Sequence, residues 1–167
     1  MKDLIDKLSS YNLFNNLLPG VVFVAIASNL TEYNLIQKDI LIGVFLYYFV
    51  GVVISRIGSI IVEPILKFIN FVKFSKYSDY INASKNDELI KTLLEVNNMY
   101  RTLLSLFLCL ALLKAFEILT ISIPTLANYA IETTTLFLFI LFAFSYRKQS
   151  NYICQRVNNA TNKTKEL

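Results

Sequence analysis

The sequence contains no histidine and no tryptophan, and it has only two cysteines, three prolines and four glycines among its 167 residues. Without histidine, the chain lacks the commonest metal ligand and the usual side chain for proton transfer near pH 7. Two cysteines and no acidic cluster also argue against a transition-metal site. We therefore expect no cofactor and no enzymatic activity. So few glycines and prolines further argue against the many turns of an all-β fold.

Charge is also scarce in this sequence. Charged residues make up 17% of the chain and hydrophobic residues 55%, and the mean hydropathy is +0.52. A soluble domain is usually about 25% charged and about 45–50% apolar. The composition therefore predicts a membrane protein whose principal partner is the lipid bilayer.

Four stretches approach the roughly 20 apolar residues that a membrane-spanning helix needs. They are residues 13–30, 40–62, 103–123 and 126–146. Because backbone polar groups must be satisfied inside lipid, each stretch is expected to be a helix. The first is expected to remain uncleaved, since Asp3 and Asp6 offset Lys2 and Lys7 ahead of it. The sequence thus predicts an all-α membrane protein whose four-helix transmembrane region comprises residues 1–62 and 103–146.

The basic residues predict the orientation of these helices. If both termini and the connection between the second and third helices share one side, that side holds 14 of the 16 lysines and arginines. The other side has Lys38 alone, and Lys114 lies within the third helix. The positive-inside rule then places both termini in the cytoplasm.

Residues 63–102 are predicted to form a cytoplasmic helical extension. Apolar residues recur at helical spacing after Asn86, which is a suitable N-cap, so the third helix is expected to be one rod over about 87–121. The second helix is expected to continue to about Phe74. The two would form a hairpin joined by residues 75–86.

An aromatic and basic segment, residues 64–76, lies within this extension. Its phenylalanines and lysines alternate: Lys67, Phe68, Phe71, Lys73, Phe74 and Lys76. Such a segment is typical of the lipid interface, where it faces anionic headgroups. Packing between helices and binding of a ligand are the alternatives.

The polar tail, residues 147–167, also has two interpretations. It is either a basic flank that is followed by disorder, or part of an anion-binding surface at the cytoplasmic mouth of the bundle. Arginine binds phosphate through forked hydrogen bonds, which favours phosphate as the anion. The candidate ligands of this surface are Arg56, Arg101, Arg147, Lys148 and Arg156.

Three charged residues interrupt the third and fourth apolar stretches: Lys114, Glu117 and Glu132. A charge at the centre of a bilayer costs about 2.5–3.5 kcal/mol, so these residues need partners or water. The spacing places all three near the outer surface. They either form a salt bridge that joins the third and fourth helices, or line a water-filled path. One four-helix bundle has no room for such a path, whereas several copies would place a ring of glutamates on an axis.

Small residues recur along the predicted second helix at intervals of four or eight residues: Gly43, Gly51, Ser55 and Ser59. Small residues allow helices in membranes to approach closely. The row predicts a helix contact, either between copies in a homo-oligomer, for which we expect a tetramer, or within one subunit.

The architecture as a whole, with the segments 54–59, 63–64 and 97–101, resembles the small four-helix transmembrane effectors of bacterial antiphage defence. These include Hailong-type effectors and membrane proteins ancillary to CRISPR loci. The resemblance implies a bacterial inner-membrane protein that forms an oligomeric pore and depolarises the membrane. It also implies cytoplasmic control by a nucleotide or oligonucleotide made by a partner enzyme. The alternatives are a non-conducting anchor or regulatory subunit for a cytoplasmic partner, and a lipid-active membrane enzyme.

Overall fold

The computed structural model describes residues 13–165, and this part of the chain is helical without strands. Its α-helices are α1 (Leu18–Leu30), α2 (Ile40–Ile57), α3 (Glu63–Phe68), α4 (Tyr77–Asn86), α5 (Leu89–Ser122), α6 (Thr125–Asn128) and α7 (Ala130–Lys165). Two π-helical turns, Leu13–Leu17 and Gly58–Val62, precede α1 and join α2 to α3. The predicted all-α class is confirmed.

Three of the helical segments are long and apolar enough to cross a membrane: Ile40–Phe68, Leu89–Ser122 and Ala130–Thr161. They correspond to the second, third and fourth predicted spans and indicate membrane association. The first predicted span forms a shorter apolar helix, Asn15–Leu30. The fourth crossing and the placement of the termini therefore stay predictions, and residues 1–12 lie outside the described part of the chain.

The ends of the helices follow from local side chains. The carboxylate of Asp39 accepts a hydrogen bond from the backbone of Ile42 at 3.0 Å, which caps the start of α2. The carboxylate of Asp87 accepts one from Leu89 at 2.9 Å at the start of α5. The predicted N-cap, Asn86, is instead the last residue of α4. The predicted rod nevertheless agrees with α5 to within about two residues, as expected for helix boundaries.

The second helical segment ends earlier than predicted, at Phe68 rather than Phe74. Asn70 has a φ of 57°, the left-handed conformation that asparagine adopts more readily than most residues. The backbone N–H groups of Phe71 and Asn70 donate to the carbonyls of Leu66 and Lys67. This pattern is a Schellman motif, which ends a helix.

Two further segments differ from the sequence-based expectation. Most of the predicted connection 75–86 is itself helical, as α4. The tail is not disordered where the structure describes it, because α7 continues to Lys165. The predicted cytoplasmic hairpin is therefore not confirmed.

Helices α1, α2 and α5 share an apolar core made of Ala27, Ile54, Leu106 and Leu110, each at most 5% exposed. Glycines allow the first two helical segments to approach closely. A Cβ atom on Gly51 would lie 1.7 Å from the carbonyl oxygen of Asn16, and one on Gly20 would lie 1.7 Å from that of Tyr47. No side chain fits at either position without separating the backbones.

The row of small residues on α2 and the π-helical turn after it thus contacts other parts of the same chain. Gly51 faces Asn16, Ser55 is fully buried, and Ser59 of the π-helical turn is a hydrogen-bond partner of Lys148. Gly43 is buried beside the ring of Tyr47. Of the two interpretations of this row, the structure favours packing within one subunit.

Helix α7 contacts the rest of the chain far less. Of its 18-residue apolar window, 11% is buried, compared with 28% for Ile40–Phe68 and 22% for Leu89–Ser122. Phe142 stacks on Phe49 of α2, with ring centroids 6.2 Å apart. Most of the apolar surface of α7 is therefore left for lipid or for another protein chain.

Candidate functional site

A buried carboxylate lies where the π-helical turn Gly58–Val62 meets α3. Glu63 is 6% exposed. Its Oε1 is 2.8 Å from Nζ of Lys67 and its Oε2 is 2.6 Å from Nη1 of Arg101. The amino group of Lys148 lies 3.5 Å from Oε1. We call these four residues the Glu63 cluster.

The cluster joins three helices that are distant in the sequence. Glu63 and Lys67 belong to α3, whereas Arg101 lies on α5 and Lys148 on α7. The amino group of Lys148 also donates to the carbonyl oxygen and the hydroxyl of Ser59, at 2.7 and 2.9 Å. Two of the three donor hydrogens of the lysine therefore go to Ser59, and the amino group also forms an ion pair with Glu63. Lys148 therefore ties α7 directly to the π-helical turn.

The charges of the cluster do not balance. Three cations surround one carboxylate, which leaves a formal excess of positive charge. The carboxylate is the innermost group: the side chain of Glu63 is 8% exposed, against 26% for Lys148 and 41% for Lys67. An approaching solute therefore meets the cations first.

Aromatic rings lie beside two of these cations. Nζ of Lys67 lies 4.1 Å from the ring centroid of Phe74, and that of Lys148 lies 5.9 Å from the ring of Tyr152. These are cation–π distances. Tyr152 in turn contacts Tyr77 of α4, with ring centroids 4.9 Å apart. The segments that follow α3 therefore adjoin the cluster.

Glu63 lies in the segment 63–64, for which the sequence predicted no separate role. A signal was present, because Ser55, Ser59 and Glu63 recur at intervals of four and so share one face of a helix. Lys67 continues the same spacing and pairs with Glu63. A polar stripe on an otherwise apolar span indicates a buried polar contact.

The predicted anion ligands are only partly brought together. Arg101 and Lys148 meet at Glu63. Arg56 is half-buried on α2, whereas Arg147 and Arg156 are exposed on α7. The structure therefore reduces the five candidates to two that share a partner, and it adds Lys67.

The intramembrane charges are arranged differently from either prediction. Nζ of Lys114 is 2.5 Å from Oε2 of Glu117, so the predicted pair on one face of α5 is present. Glu117 is 6% exposed, and its Oε1 accepts a hydrogen bond from the backbone N–H of Glu32 at 2.6 Å. The pair therefore fastens the connection 31–39 to α5.

The third predicted member of this charge layer lies apart. Glu132 is exposed in the first turn of α7. Within residues 13–165, Lys114 and Glu117 form an ion pair with each other and not with Glu132. The alternative in which these charges form a salt bridge between the third and fourth apolar stretches is thus not found in the described residues, because Glu117 is satisfied from within α5 and by a backbone group.

Replacing Glu117 with glutamine is expected to destabilise the connection 31–39. The change leaves Lys114 without its partner and weakens a charge-assisted bond to the backbone of Glu32, which should lower the free energy of unfolding. Thermal unfolding in detergent measures the loss. Glu32→Gln is the matched control, because the backbone of Glu32 makes the contact. Equal unfolding temperatures for both variants would contradict this interpretation.

Metal chemistry finds no support in the described part of the chain, which contains no group of three or more cysteine, aspartate or glutamate side chains that could hold an ion. Cys109 and Cys154 are free thiols on different helices. The Glu63 cluster is therefore the main candidate site. No family model, curated protein or solved structure matches this chain.

Proposed function

We propose that several copies of this protein assemble into an ion-conducting pore in the bacterial inner membrane. In this proposal both termini lie in the cytoplasm, and the pore depolarises the membrane as an effector of antiphage defence. Control comes from the cytoplasm, through a nucleotide or oligonucleotide and the partner enzyme that makes it. The observation that carries the proposal is the largely uncovered apolar surface of α7, with an exposed carboxylate at its beginning.

The apolar cluster that α1, α2 and α5 share would not conduct ions. Its four residues, Ala27, Ile54, Leu106 and Leu110, are at most 5% exposed. Conduction therefore requires several copies around a common axis, which would also cover the apolar surface that α7 leaves free. Large hydrophobic side chains at positions 136, 139 and 140 of α7 are exposed and available for such contacts.

The start of α7 has the chemistry expected of a cation-selective mouth. Glu132 is followed by three threonines, all exposed. The hydroxyls of Thr133 and Thr135 bond to the carbonyls of Tyr129 and Ile131, so they need no partner outside the helix. A ring of Glu132 carboxylates contributed by several copies would attract cations, as rings of acidic side chains do in cation channels. Because Glu117 is paired and buried, Glu132 is the carboxylate left for this role.

Neutralising Glu132 is therefore expected to change ion selectivity without unfolding the protein. In planar bilayers with a KCl gradient, wild-type protein should give a cation-selective reversal potential, and Glu132→Gln should shift it towards zero. Glu32→Gln, which removes another exposed carboxylate from the connection 31–39, is the control and should leave it unchanged.

Two results would count against this proposal. One is that the purified protein conducts no ions, whether or not pyrophosphate is added and whether or not Glu63 is replaced. The other is a conductance whose reversal potential is the same in wild-type protein and Glu132→Gln.

A specific observation supports a second candidate, a non-conducting anchor or regulatory subunit. Phe68 at the end of α3 is 88% exposed, and Phe71 in the connection to α4 is 75% exposed. These rings would contact a cytoplasmic partner or the lipid interface. The anchor predicts a monomer or heteromer, and no effect of Glu132→Gln on membrane potential.

A further inference from the structure

We infer that the Glu63 cluster binds a phosphate-bearing anion, which takes its cations from Glu63 and so loosens α7. The inference deepens the control step of the proposed pore, but binding itself does not require conduction. It assigns the ligand class to Lys67, Arg101 and Lys148, and it gives Glu63 the role of an internal competitor.

The charge balance of the cluster favours a polyvalent anion. One buried carboxylate shares its two oxygens among three cations. A phosphate group carries a charge of about −1.5 to −2 and three strong acceptor oxygens. It therefore matches the excess positive charge that Glu63 leaves uncompensated.

The guanidinium of Arg101 has unused capacity. Its Nη1 donates to Glu63 at 2.6 Å, whereas its Nε is buried without a hydrogen-bond partner in the described part of the chain. A buried donor without a partner costs about 1–3 kcal/mol. Phosphate accepts forked hydrogen bonds from arginine, so it would satisfy donors that a single carboxylate oxygen leaves free.

Anion binding at this position would act on α7 through Lys148. That residue donates two hydrogen bonds to Ser59 and forms an ion pair with Glu63, so turning its amino group towards a new anion would weaken these contacts. Losing them would leave α7 attached near the cluster through the ring contact between Tyr152 and Tyr77 and through the buried side chains of Leu141 and Ser145. Because α7 also begins with Glu132, its displacement couples the cluster to the proposed mouth of the pore.

Fluorescence from α7 tests the inference directly. An environment-sensitive dye is attached to Cys154, which is exposed on α7, in full-length protein that carries Cys109→Ala. The protein is placed in phosphatidylcholine nanodiscs and titrated with inorganic pyrophosphate at constant ionic strength. We expect a saturable signal change that Lys148→Gln weakens by about tenfold, the effect of one lost charged hydrogen bond. Arg147→Gln, the adjacent exposed cation, should leave the affinity unchanged.

Glu63→Gln provides the sharper result, because removing a competitor should tighten binding. We expect an affinity for pyrophosphate about tenfold higher than that of wild-type protein. If this variant unfolds on its own, pyrophosphate should restore its folding. Glu63→Asp, which retracts the carboxylate by one methylene, should tighten binding to a smaller extent. Because it keeps a carboxylate in the cluster, it tests the competition even if Glu63→Gln unfolds.

The source of the phosphate is settled by a second set of nanodiscs. A lipid headgroup as ligand predicts that phosphatidylglycerol alone produces the signal change and that added pyrophosphate has no further effect. A soluble ligand predicts that pyrophosphate acts equally in both lipids. Either result supports the site.

Three results would overturn the inference: no signal change in either lipid, equal weakening by Lys148→Gln and Arg147→Gln, or weaker binding by both Glu63 variants. Conductance without pyrophosphate binding would contradict the anion site but not the proposed pore. Pyrophosphate binding without conductance would contradict the pore but not the anion site.

Discussion

Glu63→Gln is expected to be the most destabilising substitution of any charged residue in the described part of the chain. It leaves Arg101 and Lys148 buried or half-buried without their counter-charge, and removing one member of a buried ion pair typically costs about 3–5 kcal/mol. Little of this cost comes from Lys67, whose side chain is 41% exposed. Because the contacts join α3, α5 and α7, the loss should separate α7 from the other helices.

Thermal or denaturant-induced unfolding in detergent, without added phosphate, measures this effect. Glu132→Gln is the matched control, since it makes the same chemical change at an exposed position, and it should alter the free energy of unfolding by at most about 0.5 kcal/mol. Similar stabilities for the two variants would mean that the cluster does not hold the helices together.

Gly51→Ala is expected to have an effect of similar size for a different reason. The new Cβ would lie 1.7 Å from the carbonyl oxygen of Asn16, which is part of the backbone and cannot rotate away. The π-helical turn Leu13–Leu17 must then move from α2, so the cost should reach or exceed the upper end of the usual overpacking penalty, about 3 kcal/mol.

Gly43→Ala is the matched control for that substitution, because it lies on the same helix. Its new Cβ would meet the ring of Tyr47 at 3.3 Å, and this side chain can shift. Alanine also has about 1 kcal/mol higher helix propensity than glycine. We expect Gly43→Ala to change stability little in the same unfolding assay, whereas comparable losses for both variants would contradict the close contact at Gly51.

The helices that are long and apolar enough to span a membrane could be predicted from hydropathy alone. Solid apolar runs identified the segments around Ile40–Phe68 and Leu89–Ser122, and the periodic pattern before residue 103 correctly joined residues 89–102 to α5. The end at Phe68 was missed because hydropathy does not detect a left-handed residue. Asn70 was a signal for such an end, although many asparagines lie elsewhere.

The disorder that one interpretation of the tail expected was wrong, because composition was given more weight than continuity. The residues after 146 are mostly polar, yet α7 continues through them to Lys165 without a glycine or proline to end it. A helix that is already formed adds residues at little cost, because only nucleation is strongly unfavourable.

The charged pairs show the same division between local and distant contacts. The spacing of Lys114 and Glu117 predicted their ion pair, whereas their third partner is a backbone N–H of Glu32 that no side-chain pattern encodes. Likewise, Lys67 could be assigned to Glu63 from spacing, but Arg101 and Lys148 reach it only through the fold. Contacts within one helix could be predicted, and those between helices could not.

The central claim of this account is that the functional unit contains several copies of the chain. Native mass spectrometry of the full-length protein, extracted in a mild detergent, counts the 19.2 kDa chains in each complex. We predict one predominant oligomer, with four copies as the expected number. A predominant single chain would contradict the proposed pore, because that pore is formed between several copies of the chain.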